Sequence, residues 1–443
     1  MAVFQAFRGI RPAEKNASLI AELPYDVYNT AEARARVVDR PLSFLHIDRP
    51  EINFPEGMSP YTPEVYNRAH DILWEEIHAG DFIQDRDKCL YLYELTITRN
   101  GRSQTGIVGL TSVDDYLNGV IKRNEETIER KENDRAHHID IVNAETGLVY
   151  LVQRTNEEIR GIVAEAKTKE NLLYNFITED EVNHKVYRIS DPATIQTLTD
   201  LYSQVPALYI ADGHHRAAAA VRVAEQRRKY NPGYTGQENY NYILSAVFME
   251  DEVRCADYNR VVRDLNDLDT DEFLASILFY ADFQPVLELG GMKQMKAVDS
   301  ITAMDEKHHE FLETTVRPQN KGEFSVYVGG RWYLCKFHDD VRNTDPVDGL
   351  DVSLLQKYIM EEILEIDDPR NDGSIDFVGG NRGLEELEIR CTEDSLAAFA
   401  MYPTSVQEMM KVADEGRLMP PKSTWFEPKL LSGLFIYPLE DEK

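Results

Sequence analysis

One run constrains this chain more than any other: Leu208-Tyr-Ile-Ala-Asp-Gly-His-His-Arg216, followed at once by alanines at 217 to 220 and a long amphipathic stretch. An apolar strand ends at Asp212, Gly213 breaks it, and a helix opens on two imidazoles and a guanidinium. A strand that feeds straight into a helix leaves the first helical amides without intrahelical partners, and the aligned peptide dipoles add about half a positive charge there. A phosphate suits that end, held by the amides and by Arg216 together. Gly213 supplies the sharp turn and lets a ligand come close to the backbone. The same letters also suit a plainer use, with Asp212 capping the helix and the histidines on the surface.

Charge narrows the partners. With 78 acidic against 48 basic residues the chain carries a formal charge of −30, which repels nucleic acid and anionic membrane. Neither is expected as a partner, whereas a small anion is admissible where cations gather locally, as at Arg216. Cys89, Cys255, Cys335 and Cys391 are scattered with no CxxC pair, the pattern of reduced thiols in an intracellular protein. The first ten residues lack a signal-peptide pattern, and no apolar run reaches the ~18 residues of a membrane span. The expectation is a soluble, cytoplasmic protein.

At 443 residues about three domains are expected at roughly 150 residues each. Residues 1–111 read as an N-terminal α/β region, with helical patterns near Thr30–Val38 and Thr62–His78. Leu42–His46 between them reads as a short buried strand. Asn100-Gly101 between Cys89–Thr98 and Thr105–Leu110 is a strong hairpin signal. Residues 112–265 read as the phosphate-binding core. There a strand ends near Glu125, a charged helix runs from about Glu126 to His138, and a strand spans Asn143–Gln153. Helices are predicted at Glu157–Ala166, Pro192–Tyr202 and His214–Lys229, with strands at Lys185–Ile189, 207–211 and Tyr242–Glu250. Residues 266–443 read as a C-terminal α/β domain, with a hairpin at Gly329-Gly330, a helix at Ser353–Ile366 and a rigid loop from Met419 to Pro428. Strands alternating with helices predict an α/β chain of the α+β kind.

Few side chains outside the opening run carry chemistry. Glu125 stands where a strand gives way to a helix, where an α/β fold presents side chains to ligands, and a carboxylate there suits a general base. In so acidic a chain it equally suits a plain surface position. Lys422, Ser423 and Thr424 offer an ammonium and two hydroxyls to a phosphate, or simply form a loop between prolines. The pairs His137-His138, His214-His215 and His308-His309 point about 100° apart on a helix, so none forms a zinc face. The Walker loop, the GxGxxG fingerprint and the kinase catalytic-loop signature are all missing from the sequence.

Asp212-Gly-His-His-Arg216 after an apolar strand resembles the signature of free serine kinases in the ParB/sulfiredoxin-like superfamily. The whole chain resembles the bacterial family called domain of unknown function 1015 (DUF1015), which has members similar to those kinases. The resemblance is carried by Arg8-Gly-Ile-Arg-Pro12, Pro24-Tyr-Asp-Val27, Ser43-Phe-Leu-His46 and Pro421-Lys-Ser-Thr424. It implies a central ParB/sulfiredoxin-like domain between N- and C-terminal α/β regions. It also implies a kinase that makes O-phospho-L-serine from free L-serine, with pyrophosphate favoured over ADP or ATP as donor and Mg²⁺ as cofactor. By motif the base falls on Glu125, with Glu126 directly after it; Asn124 stands where the family usually has His, and Asn259 precedes Arg260 where a His-Arg pair is common. Gly213, His214, His215 and Arg216 would bind the phosphates, and Asp212 would orient the motif or help hold Mg²⁺. Lys422, Ser423 and Thr424 would close over the phosphate side, with help from Arg8 or Arg11. His214 stands where sulfiredoxins need cysteine, which removes their nucleophile, and the acidic balance argues against the DNA binding of partition proteins. The rival reading is a nucleotide-binding regulatory protein of the same superfamily without catalysis.

Overall fold

A computed structural model describes residues 1–286 and 307–440. It divides the chain into two compact units, Met1–Val253 with Pro428–Lys443, and Arg254–Glu427. Among the described residues no helix is long and apolar enough to cross a membrane.

The first unit is built on a nine-stranded mixed sheet. Its strands are β1 (Phe4–Gln5), β2 (Leu90–Ile97), β3 (Arg102–Ser112), β4 (Ile121–Lys122), β5 (Val149–Gln153), β6 (Leu172–Ile177), β7 (Val182–Ile189), β8 (Leu208–Asp212) and β9 (Tyr242–Met249). They lie in the order β4-β8-β5-β9-β3-β2-β7-β6, with β1 beside β3. The predicted hairpin is β2-β3, registered from Tyr91 opposite Val108 to Ile97 opposite Arg102. Gly101 takes the left-handed turn position at φ 71°, which explains the Asn-Gly signal. The pairs β8-β4 and β9-β5 are parallel.

The helices that matter here are α1 (Pro63–Ala79), α2 (Glu129–Val142), α3 (Glu157–Ala166), α4 (Pro192–Tyr202) and α5 (His214–Tyr230). The predicted bounds of α3 and α4 are met because both starts are capped. Asn156 accepts from the amides of Glu158 and Ile159, and Asp191 accepts from that of Thr194. Ala217, Ala219 and Ala220 of α5 are buried in one core cluster with Leu151, Ile210 and Val247 of the sheet. Small side chains let α5 lie close to the sheet. Each large apolar side chain beneath it contributes roughly 1.5–3 kcal/mol by burial.

Helices α2 and α5 are laced by ion pairs in ascending order along both: Arg222 with Glu132 at 2.6 Å, then Arg227 with Asp140 at 2.8 Å. The two therefore run parallel, with their N-termini at the same end.

Two expectations change. Leu42–His46 is not a strand: the chain turns there and Leu45–Asp48 forms one helical turn. Phe44, Leu45, Ile47 and Asp48 are all buried, and a short run buried nearly throughout does not distinguish strand from helix. The single strand expected over Asn143–Gln153 is two, because Ala144–Glu145 pairs with Tyr437–Pro438 and only Val149–Gln153 joins the main sheet.

The second unit holds a six-stranded antiparallel sheet of β10 (Tyr258–Val262), β11 (Ala281–Pro285), β12 (Glu323–Val328), β13 (Arg331–Phe337), β14 (Ile375–Gly379) and β15 (Ala397–Met401). The order is β11-β13-β12-β15-β10-β14. Gly329 and Gly330 turn the predicted β12-β13 hairpin at φ 58° and 75°. The helix expected at Ser353–Ile366 starts as α-helix over Asp351–Leu355 and widens to π-helix over Gln356–Glu361.

Candidate functional site

The opening run of the sequence forms the junction it predicts: β8 ends at Asp212, Gly213 is left-handed at φ 90°, and α5 begins at His214. The glycine is required twice over. Its conformation is one that L side chains adopt only at a cost of about 1–2 kcal/mol, and a Cβ there would stand 3.1 Å from Nε and 3.2 Å from Cζ of Arg216. The Arg216 guanidinium is thus folded back over the turn. One of its Nη groups donates to the carbonyl oxygen of Leu148, and its stem lies against Gly147, where a Cβ would meet Cδ at 3.3 Å.

Asp212 is the anchor of this arrangement. Its Oδ1 accepts from the Gly213 amide at 2.8 Å, and its Oδ2 receives Lys429 Nζ at 3.0 Å. Arg216 Nη2 stands 3.9 Å from Oδ1. Burial opposes ionisation of this carboxyl, yet the charges of Lys429 and Arg216 with the hydrogen bonds from Lys429 and Gly213 hold it well below the usual carboxylate range. Two cations, Lys429 and Arg216, thus face the one Asp212 carboxylate.

The segment that carries Glu125 is fastened to the same junction on both sides. Asn124 is fully buried and its Nδ2 donates to the Ile210 carbonyl oxygen of β8 at 2.6 Å. Ile128, which caps α2, donates its amide to His215 Nε2 at 3.0 Å. That bond makes Nε2 an acceptor and places the neutral ring's proton on Nδ1. Glu125 therefore lies between two tethers to the strand and helix of the motif. Because α2 and α5 are parallel, two helix N-termini open side by side. Parallel dipoles repel, and an anion at the shared end offsets that repulsion.

A small cavity of about 20 Å³ adjoins Arg216, with Arg135, His138, Glu145 and Tyr25 also in its wall. His138 Nε2 stands 2.8 Å from the Ile47 carbonyl oxygen and must donate to it; burial, and after it the nearby Arg135, lower its pKa to about 4. Glu145 accepts from the Leu244 amide at 2.7 Å, and burial raises its pKa to about 8. The wall is thus lined at neutral pH by an uncharged imidazole and a protonated carboxyl.

Among the described residues no group of three His, Cys, Asp or Glu side chains is placed to hold a metal ion, and both Asp212 oxygens are engaged as above.

The DUF1015 family, described as a protein of unknown function, matches residues 4–353. The chain belongs to that family. No curated protein matches it. Among solved structures this DUF1015 chain is similar to a free serine kinase in complex with AMP, at 10% identity and a TM-score of 0.34 over 72% of this chain and 86% of that one. It is also similar to SbnI with C-terminal truncation from Staphylococcus aureus, at 10% identity and a TM-score of 0.36 over 75% and 87%. A conserved hypothetical protein from Pyrococcus furiosus matches at 13% identity and a TM-score of 0.32 over 72% and 90%.

Arg11 and Arg8 of this DUF1015 protein lie apart from the junction, among other partners. Arg11 is buried in a two-pronged ion pair with Asp85, both contacts 2.9 Å, and donates to Tyr174; its guanidinium is committed to the fold. Arg8 reaches the Asp85 carbonyl oxygen at 3.4 Å and lines a different pocket, beside Gln237 and Tyr242. Lys422, Ser423 and Thr424 belong to the second unit. There Lys422 is left-handed at φ 59°, its carbonyl oxygen accepts from buried Arg260 at 3.1 Å, and Ser423 donates to the Pro420 carbonyl oxygen at 2.6 Å. Lys429, the partner of Asp212, is the residue of this junction that sequence reasoning passed over. It follows the Met419–Pro428 loop directly, and only the fold shows that it returns to Asp212.

Proposed function

We propose that this DUF1015 protein is a phosphotransferase that converts free L-serine to O-phospho-L-serine, with Mg²⁺-bound pyrophosphate as donor. What carries the reading is the pair of parallel helix N-termini at one junction, with Arg216 and Lys429 on one side and the doubly tethered Glu125 segment on the other. Phosphoryl transfer needs positioning and charge stabilisation more than covalent help from the protein. The amides following Gly213, with Arg216, take the donor phosphates. Glu125 accepts the serine hydroxyl proton as the new O–P bond forms and the bridging P–O bond breaks, releasing inorganic phosphate. Mg²⁺ arrives with the pyrophosphate as part of the substrate. The donor is taken as pyrophosphate because the sequence carries none of the common nucleotide fingerprints.

The test is to incubate the protein with L-serine, Mg²⁺ and pyrophosphate, ADP or ATP in turn, and assay phosphoserine. Product with pyrophosphate alone is expected. Product only with a nucleotide would reassign the donor. None with any donor, alongside measurable nucleotide binding, would replace the kinase by a regulatory binding protein. Glu125→Gln should lower turnover by roughly 10²–10⁴-fold while phosphate binding, measured by calorimetry, is retained.

A further inference from the structure

A second cleft in the first unit has a volume of about 230 Å³, against the ~10–15 Å³ that one water requires. It shares Tyr25 and Arg135 with the small cavity beside Arg216. The partition is the Arg135 guanidinium lying 4.1 Å from the Tyr25 ring centre. Tyr25 comes from Pro24-Tyr-Asp-Val27, a landmark of the sequence to which the phosphate chemistry gives no role.

The lining of this cleft is the informative part. Its cations are Arg49, Lys131 and Arg135, and its anions are Asp26, Glu51 and Asp134. This cleft is balanced and strongly charged, whereas the charged residues lining the cleft at Arg8 and Lys88 are all basic and those lining the cleft at Glu165 and Asp191 are all acidic. A net-cationic cleft selects anions and a net-anionic one selects cations. A balanced one suits a ligand that carries both signs. Arg49 pairs with Glu51 and donates to Thr30 and the Tyr25 carbonyl oxygen, and Arg135 pairs with Asp134 and donates to the Asp48 carbonyl oxygen; of five guanidinium N–H groups each keeps two, which suit a carboxylate. Asp26, Glu51 and Asp134, with the faces of Tyr61 and Tyr66, suit an ammonium group. Several of these charges are held in place beforehand. Glu51 accepts from Thr30 at 3.2 Å and pairs with Arg49 at 3.0 Å, and Asp134 accepts from Tyr66 at 2.8 Å and pairs with Arg135 at 2.8 Å. The larger cleft of about 460 Å³ between Ile162 and Thr197 has no basic side chain in its lining and shares no residue with the cavity at Arg216.

We infer that the Tyr25–Arg135 cleft is the acceptor pocket, binding a free hydroxy-α-amino acid as its zwitterion next to the phosphate junction. The zwitterion follows from the cleft itself; the hydroxyl rests on the phosphotransfer reading. A ligand with its carboxylate at the arginines and its ammonium at the acids has its side chain left to face the Tyr25–Arg135 partition, beyond which stands Arg216.

Calorimetric titration without any phosphate donor tests this, with L-serine, ethanolamine and 3-hydroxypropanoate as probes. L-serine should bind, and each analogue, lacking one of the two charges, should bind at least about tenfold more weakly, the loss of one charged contact. Asp26→Asn combined with Lys131→Met, both on the rim, should weaken L-serine about tenfold, and Thr197→Ala in the other cleft should not. If the rim pair lowers the melting temperature, Tyr61→Ala, at a half-exposed position, takes its place. No serine binding, binding unmoved by the rim variants, or ethanolamine equal to serine would each overturn the assignment. Phosphoserine formed by the rim variants at unchanged KM overturns the cleft and leaves the kinase. Cleft-dependent serine binding without phosphoserine from any donor overturns the kinase and leaves the cleft.

Discussion

Gly213→Ala separates what this glycine does for the fold from what it does for the site. The backbone at φ 90° costs an alanine about 1–2 kcal/mol. In a unit of about 270 residues, with an unfolding entropy near 2.1 cal/mol/K per residue, that lowers the melting temperature by about 2–4 °C. Gly119→Ala is the matched control, since Gly119 is also left-handed, at φ 75°, with nothing within 4 Å of a new Cβ. It should lose a similar few degrees and nothing else. At 213 the new methyl would stand 3.1–3.2 Å from the Arg216 guanidinium, which must then leave its place over the turn. Losing one charge-assisted contact to a phosphate costs about 1.5–3 kcal/mol, a roughly 10- to 150-fold drop in affinity. Thermal unfolding and calorimetric titration with pyrophosphate read the two effects independently. Equal pyrophosphate affinity in the two variants would refute the assignment of Arg216 and the turn to phosphate binding.

Three further outcomes are expected. Glu145 has its carboxyl pKa raised to about 8 from an ordinary 4.5. As pH rises from 4.5 to 8 the unfolded chain loses this proton while the folded one keeps it, so folded stability falls across that window. Glu145→Gln keeps the acceptor for Leu244 and removes the ionisation. It should match the wild type in urea unfolding at pH 4.5 and exceed it by a few kcal/mol at pH 8; parallel pH profiles would refute the assignment. Lys429→Met removes a partner of Asp212, whose carboxyl is depressed, so the stabilisation exists above the unfolded pKa and fades as pH falls. The gap between variant and wild type in denaturant titrations should be widest near pH 7 and shrink below about pH 4. Asn124→Ala deletes the bond to Ile210 and should cost about 1–2 kcal/mol of stability, with turnover falling while the KM for pyrophosphate holds; retained turnover would show that the tether does not position Glu125.

How much of this was legible in the sequence follows the range of each interaction. The β8–Gly213–α5 junction was readable because turn, dipole and guanidinium sit within nine consecutive residues, and the β2-β3 hairpin because Asn-Gly selects its turn locally. Leu42–His46 was misread for the opposite reason: whether a short buried run extends or coils is decided by what packs around it. Arg11 shows a further limit, since a cation in the sequence is not a cation available to a ligand, and Asp85 had already claimed it. The site itself depends on pairings across 86 residues (Asn124 to Ile210), 87 (Ile128 to His215) and 217 (Lys429 to Asp212). No local pattern encodes these. Their joint effect is electrostatic: α2 and α5 run parallel, as the ascending pairs Arg222–Glu132 and Arg227–Asp140 show, and this brings two positive dipole ends together. An antiparallel pair would cancel its dipoles and be the less costly arrangement for a purely structural purpose. The parallel pair, closed at its positive end by Arg216 and the Glu125 segment, is the arrangement in which an anion makes up the difference.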